Sequence, residues 1–291
     1  MLTFDDEACT IVARAGGKGA SLARMTAYGL PVPPGFVVES EWLVSALGDG
    51  GAELRAALPD HERAQAIVGA AEPPAAIAEA YGALGDDPPV AVRSSACAED
   101  GEAASYAGQQ ETYLYVRGAD DVLARVRDCW ASFFSERALF YRQRKGSLDD
   151  LDMAVVVQRM VNADVAGVLF TCDPVHHRRD RMVVEAVLGL GEAAVSGEVT
   201  PDHYAVKRDG TLKRAQVARQ PFAIVPAEAG GVEKRELGAE GGEQKLDEDQ
   251  LRALARIGDD LEQRLGMPQD IEFAIEGGEI FVLQARPVTV Q

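Results

Sequence analysis

Cysteine is scarce in this chain: Cys9, Cys97, Cys129 and Cys172 are scattered, and no two form a CxxC pair. That pattern argues against a disulfide frame or a cysteine zinc site and fits reduced thiols in a cytosol. Histidine is equally rare, with His61, His176, His177 and His203 showing no HExxH or other zinc spacing. There is no GxSxG elbow and no GxxxxGK[ST] phosphate loop. The first residues, MLTFDDEACTIVARAGGKG, lack the basic and apolar regions of a signal peptide. No apolar run approaches the roughly 20 residues that span a bilayer. The expectation is a cytoplasmic protein with no membrane partner. Basic residues are also short: Lys+Arg is 29 against Asp+Glu 47, a formal net charge of −18. Such a charge argues against non-specific nucleic-acid or anionic-membrane binding, while leaving room for a local pocket that takes phosphate.

What is present is ordinary globular composition, 47% hydrophobic and 26% charged over 291 residues. It is enough for one large or two closely packed domains with ample core. Residues 16–29 read as a Gly-rich turn feeding a short helix, closed by Gly29 and by PVPPG at 31–35. Residues 41–87 are Ala-rich and helical, broken by Pro59, Pro73, Pro74 and Gly85. Strands are expected at 36–39, 90–93, 112–116, 154–161, 166–171 and 182–189. The fourth and fifth of these are expected to pair through Asn162–Asp164. Val122, Val126, Trp130, Phe133 and Phe134 mark one helix over 120–144, capped by Asp120 or Asp121. Segments 203–208 and 212–217 flank an Asp209-Gly210 turn. Residues 226–246 read as a loop. A second helix spans 248–265, with Asp247 and Gln250 placed for a capping box and Leu246 and Leu251 for a staple. This order lacks regular β-α-β alternation, so a layered α+β fold is expected.

Three segments can carry chemistry. The closing strands 271–275 and 279–285 turn at Gly277-Gly278. Hairpin counting puts Glu272 opposite roughly Gln284 and Asp270 opposite roughly Arg286. Oxygen ligands at that spacing suit Mg²⁺, and a guanidinium suits a phosphate oxygen. The plainer reading is a surface Asp270–Arg286 pair. The polar stretch 93–112 begins with Arg93 at the end of a strand and contains Gly101 and Gly108, which suits backbone amides wrapped on phosphate. Lys18, inside GGKG at a helix start, is placed to meet a phosphate. A GLGEAA match at 189–194 looks like a dinucleotide fingerprint, but no helix of useful length follows, which sets a nicotinamide enzyme aside.

Six blocks, read in order, resemble the N-terminal nucleotide-binding region of the phosphoenolpyruvate synthase / pyruvate phosphate dikinase family, a region shared with rifampin phosphotransferases and glucan water dikinases. They are GGKGASLARM (16–25), LPVPPGFVV (30–38), VRSSACAEDGEAASYAGQQET (92–112), VQRMVNADVAGVLFTCDP (157–174), GLGEAAVSGEVTPDHY (189–204) and DIEFAI with LQARPVT (270–289). The resemblance implies an ATP-grasp-like fold, two lobes with mixed and antiparallel sheets closing over ATP and Mg²⁺. The expected lobes are 1–165, with the phosphate-binding residues, and 166–291, with the metal-binding hairpin. It implies that Lys18 and Arg93 bind phosphate. Asp270, Glu272, Gln284 and Arg286 form the catalytic hairpin, with Glu272 and Gln284 as Mg²⁺ ligands and Arg286 as a second clamp. Gly108, Gln109 and Thr112 resemble the mobile loop over the phosphates, and Gln158, Arg159 and Met160 the strand that meets adenine.

The implied reaction cleaves ATP to AMP and passes a phosphoryl group to a histidine domain. No segment resembles the phosphohistidine motif, so the expected acceptor is such a domain on a separate chain, a small molecule, or a domain lying outside this sequence. An ATP-binding module without turnover, or a ligase forming an acyl phosphate, are the alternatives.

Overall fold

The structure is a computed structural model that describes residues 1–97, 111–145, 147, 148, 150–176, 178–228 and 230–288. It is α+β. The chain falls into two compact units, one of Met1–Ala27 with Pro34–Met160, the other of Tyr28–Pro33 with the chain from Val161 on.

The first unit is built on a five-stranded sheet, ordered β1 (Leu2–Thr3), β2 (Gly35–Val38), β5 (Met153–Arg159), β3 (Val90–Ala96) and β4 (Thr112–Val116). Its ladders are all antiparallel. The face carrying Val90, Val92, Val155 and Val157 is buried beneath helices. These are Glu41–Leu47, Gly50–Ala57, His61–Gly69, Ala76–Ala83 and Ala119–Ser132, followed by Glu136–Lys145. The opposite face takes the Val12–Ala27 helix, which kinks at Gly16 (φ 68°) and so begins before the turn expected from sequence.

The second unit carries a six-stranded antiparallel sheet. Its order is β13 (Glu279–Pro287), β12 (Gln269–Glu276), β6 (Val165–Phe170), β7 (Arg181–Leu188), β8 (Asp202–Lys207) and β9 (Leu212–Gln216). The helix Glu248–Leu265 buries Leu251, Leu254 and Leu261, worth about 1.5–3 kcal/mol each. Its Gly258 lies so close to β6 that an added Cβ would stand 2.8 Å from a Leu169 methyl. Asp247 and Gln250 form the expected capping box, and Gly266 ends the helix in the left-handed conformation.

Four expectations are corrected. Strands β5 and β6 do not pair: β5 is flanked by β2 and β3, and β6 by β12 and β7, so neither has an edge left. The 120–144 helix is two helices. The break leaves the Phe133 carbonyl to accept from Arg142, whose buried guanidinium lies 4.0 Å from the Phe133 ring centroid. Gly118, rather than Asp120 or Asp121, holds the N-cap, with no side-chain cap bond. The 226–246 segment includes β11 (Val232–Glu236), paired with β10 (Phe222–Pro226). All five β11 residues are exposed, so no apolar alternation marked them.

Candidate nucleotide and phosphate site

In the first unit, strand register gathers the expected residues by face. Arg93 stands opposite Thr112 on one side and Val156 on the other, and Val156 stands opposite Val37. Directly paired residues share a face, so Arg93, Thr112, Val156 and Val37 form one row. Gln158 lies two residues along β5 on the same face, opposite Gly35 and Ala91, and is buried. The Lys18 helix packs on this face. A Cβ at Gly19 would stand 2.9 Å from a Val37 methyl, and one at Gly16 would stand 2.2 Å from the Ser95 carbonyl oxygen. The positive φ at Gly16 therefore permits an approach that no side chain would allow.

Ser95 ties the two elements. Its hydroxyl donates to the Ala15 carbonyl (2.9 Å) and accepts from the Gly19 amide (3.3 Å). Lys18 Nζ donates to the Ser94 carbonyl at 2.8 Å, which fixes the ammonium beside the end of β3. Ser95 was not among the residues expected from sequence, although it stands within the VRSS run. Arg159 follows Gln158 on the alternate face and is exposed; its amide donates to Pro34. Met160 is half-buried, with its amide on the Pro89 carbonyl. Gly108 and Gln109 lie outside the described residues.

In the second unit the closing hairpin has the register expected by counting. Glu272 faces Gln284 and Asp270 faces Arg286. From Glu276–Glu279 to Phe273–Val282 the pairing is continuous; a bulge then absorbs Leu283, and pairing resumes at Glu272–Gln284. That bulge sets the Glu272 and Asp270 pairs on one face. Arg286 donates to Asp270 Oδ2 through Nε (2.8 Å) and approaches it through Nη2 (2.7 Å). Burial raises the Asp270 carboxyl above its ordinary range, against the opposing pull of Arg286. The plainer surface-pair reading is thus half met: the pair exists, but its carboxylate is buried while its guanidinium is 57% exposed.

The same row runs on across the sheet. Glu272 faces Val168, Val168 faces Glu185, Glu185 faces His203 and His203 faces Gln216. Only the ladder register shows that Glu185 and His203 share the hairpin's face, because they are far from it in sequence.

The residues suit Mg²⁺ of one kind. Among the described residues no cluster of three or more His, Cys, Asp or Glu could cage a metal. Mg²⁺ ordinarily takes one or two protein oxygens and fills its shell with phosphate and water. The Glu272 carboxylate and Gln284 amide match that sparse donor set.

The model of the pyruvate phosphate dikinase AMP/ATP-binding domain matches residues 12–291. The chain belongs to that family. It is 40% identical to a probable phosphoenolpyruvate synthase of Methanocaldococcus jannaschii, over 94% of this chain and 25% of that protein. It is 36% identical to a rifampicin phosphotransferase of Bacillus cereus, over 99% of this chain and 36% of that protein. A prodigiosin synthesizing transferase of Serratia marcescens is 38% identical, over 96% of this chain and 32% of its own length. The chain thus spans between a quarter and two fifths of these three relatives. No helix among the described residues is long and apolar enough to cross a membrane.

Proposed function

We propose that this ATP-binding domain is the ATP-cleaving half of a Mg²⁺-dependent phosphotransferase with an ATP-grasp-like fold. It cleaves ATP to AMP, releases inorganic phosphate, and passes one phosphoryl group to an acceptor. The acceptor is a histidine domain or a small molecule. The observation that carries this reading is the register of the closing hairpin, which sets Glu272 and Gln284 side by side next to the Asp270–Arg286 pair. Family membership and the phosphotransferase relatives support it.

Phosphoryl transfer asks a protein mainly for positioning and charge neutralisation. Lys18, Arg93 and Arg286 supply the positive charge for phosphate oxygens. Asp270 holds the Arg286 fork in place. Glu272 and Gln284 hold Mg²⁺, which when bound screens the phosphate charge. Gln158, Arg159 and Met160 serve the base, and Thr112 with Gly108 and Gln109 serves the phosphates.

The test is nucleotide product analysis with ATP, Mg²⁺ and a set of histidine-domain proteins and small hydroxyl acceptors. AMP and phosphate are expected, and Glu272→Ala or Arg93→Ala is expected to lower the rate at least ~100-fold with the circular-dichroism spectrum retained. ADP as the product would instead point to an acyl-phosphate ligase. Nucleotide binding with no turnover against every acceptor would leave a binding module. Full activity of either variant would remove that residue from the site.

A further inference from the structure

The first unit holds a cleft of about 400 Å³, at the small end of the range for small-molecule sites. Glu111, Tyr113, Asp128, Ser132, Ser135 and Arg137 line it. It is not on the nucleotide face. Thr112 pairs with Arg93 on that face, whereas Tyr113 pairs with Val92 on the opposite one. There the cleft runs between the start of the edge strand β4 and the Ala119–Ser132 helix, as far as the break that follows this helix.

One end of the cleft is acidic. The Arg125 guanidinium lies over the Tyr113 ring, 5.0 Å from its centroid, and donates to Asp128 Oδ2 at 2.7 Å. Asp128 is thereby held beside Tyr113. Burial pushes the Tyr113 phenol up to about 12, and the charges of Glu111 and Asp128 push the same way. The phenol is therefore neutral, and its oxygen can accept from a cation. The other end is basic. Ser132 follows Asp128 by four residues, about 6 Å along the helix at a rise of ~1.5 Å per residue. Ser135 and Arg137 come after it, across the break into Glu136–Lys145. Ser135 Oγ accepts the Ala138 amide at 3.4 Å and keeps its own proton to donate.

The charges at the two ends are uncommitted. Among the described residues, neither the Glu111 carboxylate nor the Arg137 guanidinium enters an ion pair or a hydrogen bond, and the Tyr113 hydroxyl has no hydrogen-bond partner. Opposite charges that line one cleft without reaching each other leave room for a molecule that meets both. Such a molecule carries a cation and an anion held several atoms apart, because Arg137 lies beyond the helical turn that separates Asp128 from Ser132.

We propose that this cleft binds a linear ω-amino acid. Its ammonium donates to Glu111, Asp128 and the Tyr113 oxygen. Its carboxylate accepts from Arg137 and the Ser135 hydroxyl. The inference does not rest on the nucleotide reading, since the cleft and the nucleotide residues occupy opposite faces of the sheet.

The test titrates the full chain by calorimetry with 6-aminohexanoate, hexanoate, hexylamine and glycine. One equivalent of 6-aminohexanoate is expected to bind at least fivefold more tightly than any of the other three. Glycine carries both charges but is too short to span the cleft. Glu111→Gln is expected to lower the affinity for 6-aminohexanoate to that for hexanoate, and Arg137→Gln to that for hexylamine, with the circular-dichroism spectrum and Tm retained. Saturating ATP with Mg²⁺ is expected to leave the affinity unchanged. The proposal is overturned if 6-aminohexanoate fails to bind or binds no more tightly than the other probes, if either folded variant binds it as the unsubstituted protein does, or if ATP displaces it.

Discussion

Single side chains in this protein are set as much by what surrounds them as by their own chemistry. The four thiols illustrate this. Burial pushes Cys9 up to about 12 and Cys97 up to about 11, and burial likewise raises Cys129 and Cys172. A thiol whose pKa lies above the working pH is almost wholly protonated and a poor nucleophile. At pH 8 the native protein is therefore expected to react slowly with a thiol-titrating reagent, and to release all four equivalents at once in urea. A fast native reaction at Cys9 or Cys129 would contradict the burial seen here. Lys18 and Arg93 were legible as charged residues in unusual places. That both belong to one sheet face follows from the strand pairings and from Gly16, whose φ of 68° and closeness to Ser95 no local pattern announces.

At the scale of elements, one capping box and two glycine turns were the easiest to read. The Asp247–Gln250 box, the Asp209-Gly210 turn and the Gly277-Gly278 hairpin depend on a few neighbouring residues, and each is found where its residues stand. The break after Ser132 and the exposed strand β11 were missed, because no apolar periodicity marks them: Arg142 closes back on Phe133 in one case, and an all-exposed strand pairs with β10 in the other. A long-range device joins β8 to the segment before the Glu248–Leu265 helix. Lys245 Nζ stands 3.1 Å from Asp202 Oδ1, with both side chains almost wholly buried, and also donates to the carbonyls of Ala218 and Gly241. Tyr204 donates to the other Asp202 oxygen at 2.7 Å. Removing one member of such a pair strands a buried charge. Lys245→Met is expected to cost about 3–5 kcal/mol in urea unfolding. Adding Asp202→Asn should recover part of that loss, whereas simple additivity of the two changes would refute the coupling.

For the whole molecule, the chain is an ATP-binding domain of the dikinase family, and the proposed reading has Glu272 and Gln284, paired on its closing β-hairpin, hold Mg²⁺. A ligand that binds only the folded state stabilises it by mass action, by about 2.7 kcal/mol at a hundredfold excess over Kd. ATP with Mg²⁺ is expected to raise Tm by several degrees, a rise that EDTA reduces and that Glu272→Ala makes insensitive to EDTA. An equal shift in Glu272→Ala, still cancelled by EDTA, would place the metal elsewhere.

The amino-acid order by itself determined the α+β class, most strands, the second long helix and the pairing of Glu272 with Gln284. These depend on periodicity and on a tight turn, both local and both countable. Only the tertiary structure decided that β5 and β6 enter different sheets, that Ser95 secures the Lys18 helix, and that Glu185 and His203 join the hairpin's row. Those facts depend on which strand edges remain open and how closely backbones pack, and such choices are made between segments far apart in the chain.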